Sequence, residues 1–371
     1  MSVYIIAEAG VNHNGDLSLA KQLIDIAREA GADAVKFQTF ISENEISVYA
    51  DMADYQQKNM NDNSSQLEMV KKLELAFDDF VELKHYCELQ NIEFLSTPFD
   101  FDSADFLLNK LNLESIKIPS GEITNAPFLL YIARHKRKMI VSTGMATLSD
   151  IQQALGVIAF GLLDIEPTQH PSVTYFEQAY MSQQGQQLLK EYVTLLHCTT
   201  EYPAPIDAVN LNAIPNMSKT FDLPVGYSDH TDSIAVPTAA VALGATIIEK
   251  HITFDKKAVG PDHAASIEPD ELKSMVTFIR QTEQALGNGV KIPSPVELKN
   301  RAIARKSLVA SKKIRKGEAF SIDNLAIKRP GTGISPMMYW EIQNFRAPRD
   351  FEYDEEINLY DCNARTSDQN L

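Results

Sequence analysis

Cysteine is scarce in this chain. Cys87, Cys198 and Cys362 are its three cysteines, and they stand far apart. Such spacing excludes a disulfide framework and a zinc ribbon. Long hydrophobic runs are missing too: no apolar stretch approaches the roughly 20 residues needed to cross a bilayer. The opening residues, MSVYIIAEAGVNHNG, have neither a basic start nor a small-residue cleavage site, so the chain reads as cytoplasmic. Basic residues are in deficit, with 34 Lys and Arg against 50 Asp and Glu and a formal net charge of −16. This balance argues against nucleic acid and against an anionic membrane as partners. A small anionic ligand is still compatible, because a few lysines in a cleft reverse the local field. No glycine-rich dinucleotide fingerprint follows the first apolar run.

What is present is a repeating pattern. A short β-branched run is followed by polar residues and then by a helical stretch. The runs are YIIAEAG (4–10), AVKFQT (34–39), EFLSTPF (93–99), SIKIPSGE (115–122), MIVSTGM (139–145), VTLLHCT (193–199), PVGYSDH (224–230) and TIIEKHIT (246–253). In the segment 17–31, Leu19, Leu23, Ile26 and Ala30 recur at helical spacing and Gly31 closes the helix. The segment 233–245 is apolar all round and is expected to be buried. Alternating strands and helices imply a parallel sheet. Eight such units predict a (β/α)₈ barrel, with a doubly wound open sheet as the rival.

The pattern bounds a barrel domain over 1–285. Gly287, Gly289, Pro293 and Pro295 mark a linker over 286–302. A compact second domain follows over 303–362, and the polar residues 363–371 form a loose tail. Residues 164–187 exceed one crossover helix and read as a surface elaboration.

Barrels of this kind build their sites where strands end. The polar residues there are Glu8, Asn12 and His13; Lys36 and Gln38; Ser96 and Thr97; Lys117, Ser120 and Glu122; Ser142 and Thr143; His197, Thr199, Thr200 and Tyr202; Ser228, Asp229 and His230; Glu249, Lys250 and His251. Lys36 and Lys117 lie between apolar neighbours and should point into the barrel, where two ammonium groups need an anion. Hydroxyls of Thr97, Ser120 and Ser142 would complete a phosphate and carboxylate pocket. Either Glu249 or Lys250 could instead face the helix layer. His197 reads as a satisfied interior histidine, and His13 as a loop anchor. His230 and His251 end adjacent strands, so their rings can converge as metal ligands or as an acid–base pair. Asp262, in GPDHAAS, either caps its turn or stands above the same rim.

With these residues assembled, the chain resembles the sialic acid synthase family. The motifs are IIAEAGVNHNGD, AVKFQT, LSTPFD, IKIPSGE, STGM, LHCTTEYPAP, GYSDHT, EKHIT, GPDHAAS and KRPGTGI, in order along nearly the whole chain. The resemblance implies a (β/α)₈ TIM barrel followed by a small antifreeze-like (SAF) domain. It implies an enzyme that condenses phosphoenolpyruvate with an N-acetylated mannose-type sugar and releases phosphate. Carried over by motif, Lys36, Gln38, Thr97, Lys117, Ser120, Ser142 and Ser228 hold phosphoenolpyruvate, with Asn61 as a further position. Glu8 and Glu122 are the carboxylates near the reacting centre. His230 and His251 are ligands of a divalent cation, Mn²⁺ or Mg²⁺. Thr200, Tyr202 and Asp262 contact the sugar. Arg329 reaches the site from the second domain of a partner subunit, as in a domain-swapped homodimer.

One position departs from the pattern of the synthases that use N-acetylmannosamine. They carry asparagine two residues before the tyrosine, where this chain has Thr200. CTTEYPAP is more similar to synthases that make legionaminic acid from a 2,4-diacetamido-2,4,6-trideoxy sugar. The alternatives are an enzyme acting on an aldose phosphate, which would want a further basic cluster, and a non-catalytic sugar- or ice-binding protein.

Overall fold

The structure, a computed structural model, describes residues 2–51, 65–163, 170–358 and 360. Asn61, the tail 363–371 and residues 164–169 of the expected surface elaboration lie outside the described residues. The chain divides into two compact units, Met1–Gly287 and Asn288–Leu371.

The eight apolar runs are eight parallel strands: β1 (Tyr4–Gly10), β2 (Ala34–Thr39), β3 (Glu93–Pro98), β4 (Ser115–Ile118), β5 (Lys138–Ser142), β6 (Val193–Cys198), β7 (Val225–Asp229) and β8 (Ile247–His251). Their order, β3-β2-β1-β8-β7-β6-β5-β4, is that of a barrel whose seam lies between β3 and β4. β4 is shorter than its apolar run, because Pro119 leads into a 3₁₀ turn over Ser120–Glu122.

Helices line the outside. α1 (Leu17–Ala30) starts where Asp16 accepts hydrogen bonds from the amides of Ser18 and Leu19, a cap worth about 1 kcal/mol. It stops at Gly31, whose φ of 84° suits a residue without a Cβ. Its buried face is Ala20, Leu23, Ile24, Ala27 and Ala30. Leu19 and Ile26 lie at the edge of that face rather than at its centre. Beside short helices over Ser42–Glu45, Gln66–Lys71 and Phe101–Asp105, the later helices are α2 (Phe77–Gln90), α3 (Ala126–Arg134), α4 (Leu148–Leu162), α5 (Val173–Met181), α6 (Gln183–Tyr192), α7 (Ala213–Phe221), α8 (Ala235–Ala242) and α9 (Pro269–Leu286). α5 adds to the outer layer: Phe176 meets Phe160 of α4 edge to face at 5.3 Å. α8 is not buried all round. Only Pro237, Ala240 and Val241 are, because one side of any outer helix faces away from the barrel.

Two apolar layers follow from strand periodicity. Outward side chains such as Ile5, Val35, Ile116, Val141, Leu195 and Ile248 join the helices in the main core. Inward ones form a plug of Ile6, Ala34, Leu95, Ile140, Leu196 and Ile247. Two residues further along the same strands, the inward face turns polar.

In the second unit, β9 (Ser307–Ala310) pairs antiparallel with β10 (Leu325–Lys328). Leu308, Ala310, Ile314, Phe320, Leu325 and Phe351 form its core. α10 (Pro295–Ala304) precedes these strands and buries none of its side chains.

Candidate active site

Above the apolar plug stand four ionisable side chains, each no more than 4% exposed: Glu8, Lys36, Lys117 and Glu249. Register places them together. Glu8 on β1 is opposite Lys36 on β2, and Ser228 on β7 is opposite Glu249 on β8. The Lys36 ammonium pairs with Glu8, lies 3.6 Å from Glu249 and donates to the Thr97 hydroxyl at 2.9 Å. Lys117 reaches Glu249 at 3.1 Å, and Ser228 donates to the same carboxylate at 2.8 Å.

The two carboxyls differ in proton affinity. Burial raises Glu8 to about 7, and Lys36 offsets only part of that. Burial also opposes ionisation of Glu249, but Lys117 and Lys36 outweigh it and hold the group at about 2. Lys117 is lowered by burial, with Lys36 adding to the effect. The cluster thus sets two lysines against one carboxyl held ionised and one whose proton affinity is raised, in a protein whose total charge is strongly negative. A small anion fits that field.

His230 and His251 stand beside this cluster with ring centroids 5.6 Å apart. Burial lowers both, His230 to about 4 and His251 well below its ordinary value, so both rings are neutral. His230 Nδ1 donates to the Thr199 carbonyl at 2.6 Å, which leaves its Nε2 as a lone-pair donor. His251 Nδ1 is buried without a hydrogen-bond partner, and Asp262 Oδ2 lies 3.9 Å from it. The Tyr202 ring covers His230, with centroids 4.1 Å apart.

These groups line one cavity of about 260 Å³, together with Gln38, Ser120, Thr200 and Met145. An adjoining cavity of about 190 Å³ shares Gln38, Tyr202 and His251 and adds Asp262 with the apolar Val11, Phe40 and Met69. Size does not mark the site. A larger cavity of about 590 Å³ lies among α3, α4 and α5, where Asp150 and Glu177 are the charged lining groups and no cation accompanies them.

Not every candidate meets in this cavity. Ser142 is buried on the inward face of β5, two residues after Ile140, but is not on the cavity wall. Glu122 sits on the turn after β4 and accepts from the Asn125 side-chain amide at 2.6 Å; it does not line the cavity. Arg329 belongs to the second unit, where its Nε donates to the Ala304 carbonyl at 3.1 Å.

The group missing from the expected set is Glu249. A signal for it existed: a strand's period of two puts Glu249 on the same face as His251. The same parity sends Asp229 and Lys250 outward, where they pair at 2.6 Å behind the barrel wall. His197 is satisfied by the Val209 carbonyl at 2.7 Å, and His13 Nδ1 accepts from the Gly15 amide at 3.1 Å, holding its loop.

Known proteins resemble this chain over nearly its whole length. Residues 23–291 match the NeuB family and residues 305–355 match the SAF domain. The chain is 51% identical over 353 residues to the N,N'-diacetyllegionaminic acid synthase of Campylobacter jejuni, covering 95% of this chain and 98% of that one. It is 45% identical to the enzyme of the same name from Legionella pneumophila, over 94% and 90% of the two chains. Among solved structures, the N-acetylneuraminic acid (sialic acid) synthetase of Leptospira borgpetersenii superposes with a TM-score of 0.64 at 33% identity, over 81% of this chain and 90% of that one. A family match spanning the barrel, with relatives this similar over almost their full length, means that the chain belongs to the NeuB family and is a synthase of the sialic acid type.

Proposed function

We propose that this enzyme condenses phosphoenolpyruvate with 2,4-diacetamido-2,4,6-trideoxymannose, giving a nine-carbon 2-keto acid and phosphate. The observation that carries the reading is the buried Lys36–Glu8 and Lys117–Glu249 cluster facing two neutral imidazoles in one cavity. The choice of sugar is supported by Thr200 and by the two relatives named for N,N'-diacetyllegionaminic acid. No helix among the described residues is long and apolar enough to cross a membrane, and we place the enzyme in the cytoplasm, where phosphoenolpyruvate is made.

Lys36 and Lys117 hold the phosphate and carboxylate of phosphoenolpyruvate. Thr97, Ser120, Ser228 and Gln38, which line the cavity, supply the remaining polar contacts, and Ser142 stands behind them on the inward face of β5. His230 and His251 fit a divalent cation: one ring presents a free Nε2, and the other has a buried, unpartnered Nδ1. Among the described residues no third His, Cys, Asp or Glu joins them, so water or substrate oxygen would complete the shell. When bound, Mn²⁺ or Mg²⁺ would supply Lewis acidity toward the aldehyde oxygen of the open-chain sugar.

Thr200, Tyr202 and Asp262 orient the sugar so that its C1 meets C3 of phosphoenolpyruvate. As that bond forms, positive charge develops at C2. The carboxylates of Glu249 and Glu8 face it from the wall, with Glu249 in the role expected of Glu122. Glu8, with a proton affinity near neutrality, takes a proton from the water that adds at C2. Glu8 passes that proton to the oxygen at C1, the tetrahedral carbon loses phosphate by C–O cleavage as its new hydroxyl gives its proton to the departing phosphate, and the two lysines receive the phosphate charge. Arg329 covers the sugar from the partner subunit of a domain-swapped homodimer.

Phosphate release from phosphoenolpyruvate tests the reading, with N-acetylmannosamine, its 6-phosphate and the diacetamido sugar as parallel acceptors. The diacetamido sugar should give a kcat/KM higher than N-acetylmannosamine by about 10-fold or more. Preference for either of the other two would overturn the assignment. Phosphoenolpyruvate labelled with ¹⁸O at the bridging position should deliver its label to phosphate.

A further inference from the structure

Behind the barrel wall, on the face turned away from the cavity, Asp229 and Lys250 form an ion pair in which both side chains are 0% exposed. They are register partners on β7 and β8. Every donor of the ammonium is used: it donates to Asp229 Oδ2 at 2.6 Å, to the Thr231 carbonyl and to the Ser233 carbonyl at 3.3 Å. The carboxylate is equally engaged. Asp229 Oδ1 accepts from the Tyr227 hydroxyl and from the Thr231 amide, both at 3.0 Å. The Thr231 hydroxyl donates to Oδ2 at 3.2 Å.

A buried ion pair is a poor device for stability alone, since two charges leave water to form it and apolar side chains of similar volume serve as well. What this one does is geometric. Parallel strands have no hairpin to set their register. Here the pair joins β7 to β8 at the level of the two histidines, and Lys250 also ties down the chain immediately after His230. His230 is thus bracketed: Thr199 holds its ring, the Ala204 amide donates to its carbonyl at 2.8 Å, and Lys250 holds the carbonyl of the next residue, Thr231. His251 is the residue next to Lys250 itself.

We propose that the Asp229–Lys250 pair positions the His230 and His251 rings relative to each other, and so sets the affinity of the site for its cation. The cation part of this inference rests on the metal-ligand reading given under Proposed function. Asp229 and Lys250 touch no substrate; they act through the neighbouring imidazoles.

The test uses the full-length protein and two variants, Lys250→Met and the uncharged double variant Asp229→Asn/Lys250→Met. In the double variant the side-chain amide oxygen at position 229 can still accept from Tyr227 and Thr231, and methionine occupies the lysine volume. Four readouts are taken without the second substrate: melting temperature, Mn²⁺ affinity from the resonance of the free ion, phosphoenolpyruvate affinity by calorimetry on metal-free protein, and the His230 tautomer by ¹⁵N NMR. The double variant should stay folded, bind Mn²⁺ more weakly by about 10-fold or more, and keep its phosphoenolpyruvate affinity within about twofold. The His230 ring should lose its fixed Nδ1–H form. Unchanged Mn²⁺ affinity would overturn the proposal, and so would equal losses of both affinities, which would indicate a general structural role. His251→Ala is the control. If wild-type protein binds no Mn²⁺ that this control removes, the metal reading fails, and the tautomer alone decides: a mixed His230 tautomer in the double variant supports positioning, and an unaltered one overturns it.

Discussion

Glu249 and Lys250 are chain neighbours, both ionisable and both buried, yet they serve opposite faces of one strand. Glu249 faces Lys36 and Lys117, and its charge restrains two ammonium groups in a small space. Glu249→Gln should reduce kcat by about 100-fold or more, since a charge aimed at the developing cation is lost. Phosphoenolpyruvate should bind that variant at least as tightly as wild type, because the lysines are then less neutralised. Calorimetry checks this, and a collapse of affinity would make Glu249 a structural partner of the lysines instead. His230→Ala should leave the barrel folded and abolish turnover that depends on added metal. Chelation should silence wild-type enzyme reversibly, with Mn²⁺ restoring wild type but not the variant; full activity of His230→Ala would refute its role.

At the scale of elements, tight contacts position the site. Gly226 on β7 has no room for a side chain: a Cβ there would lie 2.6 Å from the Ile247 carbonyl oxygen and 2.6 Å from the Leu196 side chain. Backbone cannot yield as a side-chain tip can, so β7 and β8 would have to separate. Gly226→Ala should cost about 1–3 kcal/mol, visible in denaturant unfolding, and should lower activity because the same strands carry His230 and His251. Strands of this kind were legible in the sequence, since each apolar run ends in polar residues at the position where a βα loop begins. Helix faces were less so. In α1 the buried stripe runs through Ala20, Ile24 and Ala27 rather than through Leu19 and Ile26, because alanines let the helix approach the barrel closely. In α8 an apolar composition overstated burial, since composition does not say which side of a helix meets the sheet.

For the whole molecule, the question is where Arg329 acts. Its unit, Asn288–Leu371, has its own core, and its guanidinium bonds within that unit to the Ala304 carbonyl. If Arg329 serves a partner's barrel, Arg329→Ala should raise KM for the sugar more than for phosphoenolpyruvate. Co-expression of Arg329→Ala with Lys117→Ala subunits gives a sharper test. Random pairing makes about half of the dimers mixed, and a crossing arrangement leaves one intact site in each, restoring about a quarter of wild-type activity at sugar concentrations too low for the Arg329→Ala site to turn over. Recovery no greater than the sum of the two separate variants would rule out the crossing arrangement.

By itself the sequence determined the eight apolar runs, the change of texture that follows them and the polar groups at the ends of those runs. These are local properties, set by hydrophobic periodicity and turn chemistry. Only the tertiary structure decided which of those groups meet. It brought Glu249 into the cavity while Glu122 stays on its turn, and it turned Asp229 away from the site to pair with Lys250. The reason is physical: a side chain's company depends on the register between strands distant in sequence, and that register is set only when the barrel closes.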